Sequence, residues 1–166
     1  MIEEPSNNNY FILINNKKAK LIDTLKSRSI ETKIFLNLYQ KDLIFKNLLK
    51  NKNISDHFVF DYLYLTTPAM LLKYYNILTE INVNSNTSFF DVTTKLLDKY
   101  KKNKQDIYID CIKFFLEIKF HKKIFSTKNI TSLFETKNGI LKILYEYQKF
   151  NLSNNSVLNF VKNSIN

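Results

Sequence analysis

Residues 88–102, SFFDVTTKLLDKYKK, carry start and stop signals of a helix at both ends. The hydroxyl of Ser88 can accept one of the orphan N–H groups that open a helix. Asp91, three residues on, completes a pattern resembling a capping box. Lys99, Lys101 and Lys102 suit the negative end of the helix dipole. The spacing predicts a helix from Ser88 to about Lys102.

Upstream, Thr67-Pro68 is a second start signal, because proline at the first helical position sacrifices no hydrogen bond. That helix is expected to run to about Ile81, followed by a loop from Asn82 to Thr87. Earlier still, Ser29 can cap a helix with Glu31 in its first turn. Ile30, Ile34, Phe35, Leu38 and Tyr39 recur at three-to-four spacing, continuing through Ile44, Phe45, Leu48 and Leu49. Lys50 to Asn53 ends it, and Ser55 can cap a further helix through Leu65.

Downstream, residues 105–125 fit two periods. Ile107, Cys111, Phe114, Phe115 and Ile118 form a helical stripe, whereas Phe114, Leu116, Ile118 and Phe120 alternate as a strand would. Length favours a helix. After Ser126, helices are expected near 129–137, 139–150 and 154–164, with Asn138-Gly139 as the break between the first two.

The N-terminal segment reads differently. Tyr10 to Ile14 is a short apolar run, Asn15-Asn16-Lys17-Lys18 is turn-like, and Ala19 to Ile22 resumes. This suits a β-hairpin or an extended arm. The expected organisation is an arm or hairpin over 1–28 and a single helical domain over 29–166. The fold class is mainly α: an irregular bundle of about six to eight helices, with that short hairpin or arm in front.

Composition agrees. The 166 residues include one Gly (Gly139) and two Pro (Pro5 and Pro68), which argues against a many-stranded sandwich or barrel. With 22 Asn available, turns needing positive φ are expected to use asparagine. A hydrophobic fraction of 45% is enough for a core and argues against wholesale disorder. Cys111 is alone, which excludes a disulfide scaffold. Met1 to Pro5 is acidic and Asn7-Asn8-Asn9 follows, so neither a signal peptide nor a basic presequence fits. No charge-free stretch approaches the roughly 20 residues of a membrane span.

Several chemistries can be set aside. The two histidines, His57 and His121, are far apart in sequence and the lone cysteine has no partner, so a zinc site is not expected. A single glycine cannot build a phosphate-cradling loop or a dinucleotide fingerprint. No cofactor, no small-molecule substrate and no catalytic residue is expected. His57 with Asp61, and Glu117 with His121, stand one helical turn apart. Each is a general-base pair in one reading and a surface ion pair in the other, and the second is preferred. Asp106 and Asp110 read as helix N-terminal charge.

What rises above background is basic charge. The net charge is +10, carried by 24 Lys and the single Arg28. Lysine acts as a mobile point charge, unlike the bidentate arginine fork, and suits attachment to a polyanion such as RNA backbone or an acidic membrane surface. Three clusters stand out: Lys17, Lys18 and Lys20; Lys99, Lys101, Lys102 and Lys104 around Tyr100; and Lys119, Lys122 and Lys123 around His121. If 88–103 and 105–122 form an antiparallel hairpin, the last two clusters lie at its opposite ends. Tyr100 and Tyr108 are candidates to stack on bases.

Phe, Tyr, Ile, Asn and Lys, whose codons begin with two A or T bases, supply more than half of the chain. Gly, Ala, Arg and Pro supply a handful. In composition the chain resembles proteins encoded by very AT-rich genomes, ciliate mitochondria among them. The same skew supplies a second reason for the lysines. The resemblance implies a structural component of a large assembly in the mitochondrial matrix. A divergent mitochondrial ribosomal protein would contact rRNA through its lysines and neighbouring proteins through its aromatic helices. The alternatives are an accessory subunit of a respiratory or ATP synthase complex and a viral or parasite helical interaction module, the latter in the cytoplasm of an infected or parasite cell.

Overall fold

The computed structural model describes residues 10–15, 20–50, 58–125 and 129–165. Seven α-helices and one 3-10 helix form the regular structure of these residues, with no strand among them. The chain divides into two compact units, Met1–Leu36 and Asn37–Asn166.

The first unit contains α1 (Asp23–Ser27), none of whose residues is buried. Tyr10 to Asn15 is neither helix nor strand, and the expected hairpin turn, with Lys17 and Lys18, lies outside the described residues. Ser29 does not open a helix. Its hydroxyl donates to the Leu25 carbonyl and its N–H to the Lys26 carbonyl, so it closes α1 instead. Ile30, Ile34 and Phe35 are exposed, without the buried face that would hold a helix there.

In the second unit α2 (Leu38–Lys50) begins nine residues later than Ser29, on a capping box that the sequence reading passed over. Asn37 Oδ1 accepts from Gln40 N–H at 2.8 Å, and Gln40 Oε1 accepts from Asn37 N–H at 3.0 Å. Phe45 is the buried residue of α2. It packs edge-on against Phe60 of the 3-10 helix Phe58–Leu65, whose backbone kinks at Tyr62. Ser55, the expected cap of this segment, lies outside the described residues, as does His57.

Both strong start signals hold. Helix α3 (Pro68–Glu80) opens with Thr67 Oγ1 accepting from Met70 N–H and Pro68 at the first position. Helix α4 (Phe89–Asn103) opens with Ser88 Oγ accepting from Asp91 N–H at 3.1 Å and donating to the Asp91 carboxylate at 2.6 Å. Helix α5 (Ile107–Ile124) runs back along α4, as the bonded pair Asn103–Tyr108 at one end and the stacked rings of Phe89 and Phe115 at the other require.

The two competing periods in α5 have a physical cause. Ile109, Cys111, Ile112, Phe115, Leu116, Ile118 and their neighbours are buried over most of the circumference, because α4, α6 and the 3-10 helix all pack on α5, leaving one part-exposed strip of Asp110, Lys113, Glu117 and His121. Tyr74 of α3 stacks on its Phe114 at 4.8 Å as well. An apolar face that wide fits a helical and an alternating pattern at once.

Helix α6 is a single element, Ile130–Phe150, and not two helices broken at Asn138-Gly139. Gly139 serves packing, facing the Phe160 ring of α7 (Asn154–Ile165). Among the described residues the positive-φ positions are Asn82, Lys104 and Asn151, so asparagine takes two of these three left-handed turns.

Candidate nucleic-acid interface

The α4–α5 hairpin brings the two described basic clusters to opposite ends. They are separated by about 20 Å along a helix rising 1.5 Å per residue. At the connecting turn, Lys99 pairs with Glu80 and Lys104 donates to Asn151 Oδ1 at 3.0 Å. Lys101 and Lys102 are exposed with no acidic partner among the described residues. Neither tyrosine expected to stack on bases is available here. Tyr100 is buried against Tyr147, and buried Tyr108 accepts a hydrogen bond from Asn103. Lys20 belongs to the first unit, where it is exposed.

The far end of α5 differs. Tyr64, 41% exposed, comes from the 3-10 helix and lies against His121, with ring centroids 5.4 Å apart. Its hydroxyl is within hydrogen-bonding distance of both imidazole nitrogens, at 3.3 and 3.4 Å. Desolvation raises the Tyr64 phenol above its ordinary value, with neighbouring Tyr62 adding to the effect. On the next turn Phe125, 82% exposed, meets the His121 ring edge-on at 5.4 Å. Tyr62, Tyr64, His121 and Phe125 thus form a series of neighbouring rings at the surface.

Lysines border that series. Lys122 lies over the Tyr62 ring at 5.8 Å, and Lys119 over the Phe89 ring at 5.8 Å. Lys119 is half-buried. Burial, and secondarily the charge of Lys123, lower its pKa. A basic surface interleaved with exposed π-faces is what single-stranded nucleic acid requires: charge for phosphates and flat rings for bases. Sequence reading found the lysines and His121 but missed Tyr62, Tyr64 and Phe125. The two tyrosines lie far from His121 along the chain and are joined to it only by the fold. Phe125 was legible as i+4 of His121.

Glu117 does not orient His121. Its Oε2 accepts from Lys137 Nζ of α6 at 2.8 Å, and the one-turn spacing to His121 is not used. The ion pair borders a small open depression of about 50 Å³ between α5 and α6. Phe120, Ile124, Leu133 and Phe134 supply its apolar lining, and His121 completes it beside Glu117 and Lys137.

No family model, curated protein or solved structure matches the chain. Any reading of the site therefore rests on its own chemistry. No helix among the described residues is long and apolar enough to cross a membrane.

Proposed function

We propose that the protein is a non-catalytic component of a large ribonucleoprotein assembly that holds RNA at the two basic ends of the α4–α5 hairpin. The observation that carries this reading is the ring series Tyr62, Tyr64, His121 and Phe125 bordered by Lys119, Lys122 and Lys123. Lysines alone would fit the helix dipole or an AT-rich genome. The exposed rings of Tyr64 and Phe125 serve neither purpose, and leaving them in water forgoes burial. Lys101, Lys102 and Lys104 supply a second phosphate contact at the other end. The compositional resemblance makes a divergent mitochondrial ribosomal protein of the matrix the preferred assembly. Sedimentation of a tagged chain from mitochondrial lysate tests this. Co-migration with ribosomal subunits after a moderate salt wash is expected, and co-migration with inner-membrane complexes would overturn it.

One observation favours a second reading, a protein-interaction module. Helix α2 leaves Leu38, Tyr39, Leu43 and Ile44 exposed. In the first reading these side chains meet a neighbouring protein of the assembly. In the second they capture an isolated amphipathic helix, and saturable binding of such a peptide that L43D/I44D abolishes would favour it.

A further inference from the structure

The first unit carries a feature that holding RNA leaves unexplained: Tyr10-Phe11-Ile12-Leu13-Ile14, an apolar run with no buried member. We infer that this run is a self-association site, pairing antiparallel with the same run of a second copy of the chain, Ile12 against Ile12 on a two-fold axis. None of these residues belongs to the ends of the α4–α5 hairpin, so self-association and RNA holding stand or fall separately.

Exposure alternates along the run. Tyr10, Ile12 and Ile14 are 94%, 91% and 93% exposed, whereas Phe11 and Leu13 are 53% and 43% exposed. A period of two is that of an extended backbone, whose successive side chains leave on opposite faces. Tyr, Phe and Ile are residue types that favour such a backbone. Among the described residues nothing hydrogen-bonds to the backbone of Tyr10 to Ile14, and no strand is present for them to join. A row of unpaired N–H and C=O groups flanked by apolar side chains is a template for pairing with another chain.

Charge order selects the partner and its direction. In sequence the run is preceded by Glu3 and Glu4 and followed by Lys17, Lys18 and Lys20. Parallel copies would set like charges side by side. Antiparallel copies set the acidic end of each against the basic end of the other. The run is therefore complementary to itself, as an isologous contact between identical chains requires.

Register follows from the apolar residues. With Ile12 opposite Ile12, Tyr10 faces Ile14 and Phe11 faces Leu13, and in residue count Glu4 falls level with Lys20. Directly opposed residues of an antiparallel pair share a face, so Tyr10, Ile12 and Ile14 of both copies cover one another. A slip of one or two residues either way sets Tyr10 or Ile14 against an asparagine and loses an apolar pair. A run this short falls below a standard interface, so the dimer is weak and depends on concentration.

The test is analytical ultracentrifugation of the full chain without RNA. A monomer at about 1 µM and a dimer at about 100 µM are expected, as a small interface implies. I12P, which removes a ladder donor at the centre, should stay monomeric at both concentrations. E4K should weaken the dimer about two- to fivefold, and E4K/K20E should restore it. On mild oxidation I12C should give a disulfide-linked dimer, because the two-fold sets that position against its own copy. I14C should not, since it would lie about 14 Å from its copy and a disulfide needs less than about 7 Å. Cys111 is buried and does not compete. A circular dichroism melt checks that each variant keeps its helices. A monomer at every concentration would overturn self-association, and a dimer that I12P leaves intact would overturn the arm as its site. Equal crosslinking of I12C and I14C, or no rescue by E4K/K20E, would overturn the antiparallel register.

Discussion

Gly139 of α6 faces the ring of Phe160 of α7 so closely that a Cβ added to the glycine would lie 3.2 Å from Phe160 Cζ. The backbone there is helical and needs no glycine for its dihedrals. The residue that looks like a helix break in the sequence is a packing site in the fold.

Gly139→Ala sets two effects against each other. Alanine is favoured over glycine inside a helix by about 1 kcal/mol. The added methyl must displace the Phe160 ring by a few tenths of an ångström, and that ring is 40% exposed and free to move outward. The expected result in urea denaturation is a net gain of about 0.5 kcal/mol. Gly139→Leu overpacks the same contact and is expected to cost about 1–3 kcal/mol. A destabilising alanine would show that Phe160 is held rigidly.

Asn37→Ala removes the acceptor that opens α2, and should cost about 1 kcal/mol, as loss of an N-cap does. Ser29→Ala, at the start that the sequence reading preferred, should change stability by less than half as much, since Ser29 is exposed at the end of a five-residue helix. Equal losses in a denaturation series would contradict the observed start of α2.

How much of this was legible in the sequence depended on the range of the interactions involved. Thr67-Pro68 and Ser88/Asp91 announce α3 and α4 because caps are local. The Asn37/Gln40 cap is equally local, but the apolar period from Ile30 onward ran through it and masked it. The period of α5 was ambiguous because the apolar face of this central helix covers most of its circumference. At the candidate site the lysines were visible as runs, whereas the ring series joins residues of the 3-10 helix to α5. The depression likewise joins α5 to α6, so both depend on tertiary packing.

Stability should fall in alkaline solution through buried groups. Burial pushes the Cys111 thiol well up, and pushes the Tyr74 phenol up in the same way, with nearby Asp110 adding to each. Both groups hold their protons more tightly in the folded chain than in the unfolded one. Their contribution is therefore complete below the unfolded thiol's value of 9.0 and is lost progressively above it. The slope approaches about 1.4 kcal/mol per pH unit for each group. In urea denaturation between pH 8 and 10.5, Cys111→Ala should show a shallower decline than wild type. Parallel declines would mean that the thiol takes no part.

Tyr64→Ala and Phe125→Ala each remove an exposed ring from the series. Each should weaken single-stranded RNA binding by about 1–3 kcal/mol, the value of one stacked base. Phe125 is largely in water, so its variant should change melting temperature little, whereas Tyr64, 41% exposed and in contact with His121, should lower it modestly. Tyr100→Phe, which leaves a buried ring in place, should leave RNA affinity unchanged. Loss of affinity in this last variant, with none in the first two, would move the interface to the other end of the hairpin.

The most direct test of the central claim is the salt dependence of affinity for a single-stranded RNA tetramer, whose three phosphates are too short a run to reach both ends of the hairpin. Each phosphate neutralised contributes about −0.7 to the slope of log affinity against log salt, so contacts from Lys119, Lys122 and Lys123 predict a slope of about −2. The triple variant K119M/K122M/K123M should bring it close to zero. A flat response in the wild-type protein, or a steep one that the triple variant leaves unchanged, would contradict the assignment of RNA to this end of α5.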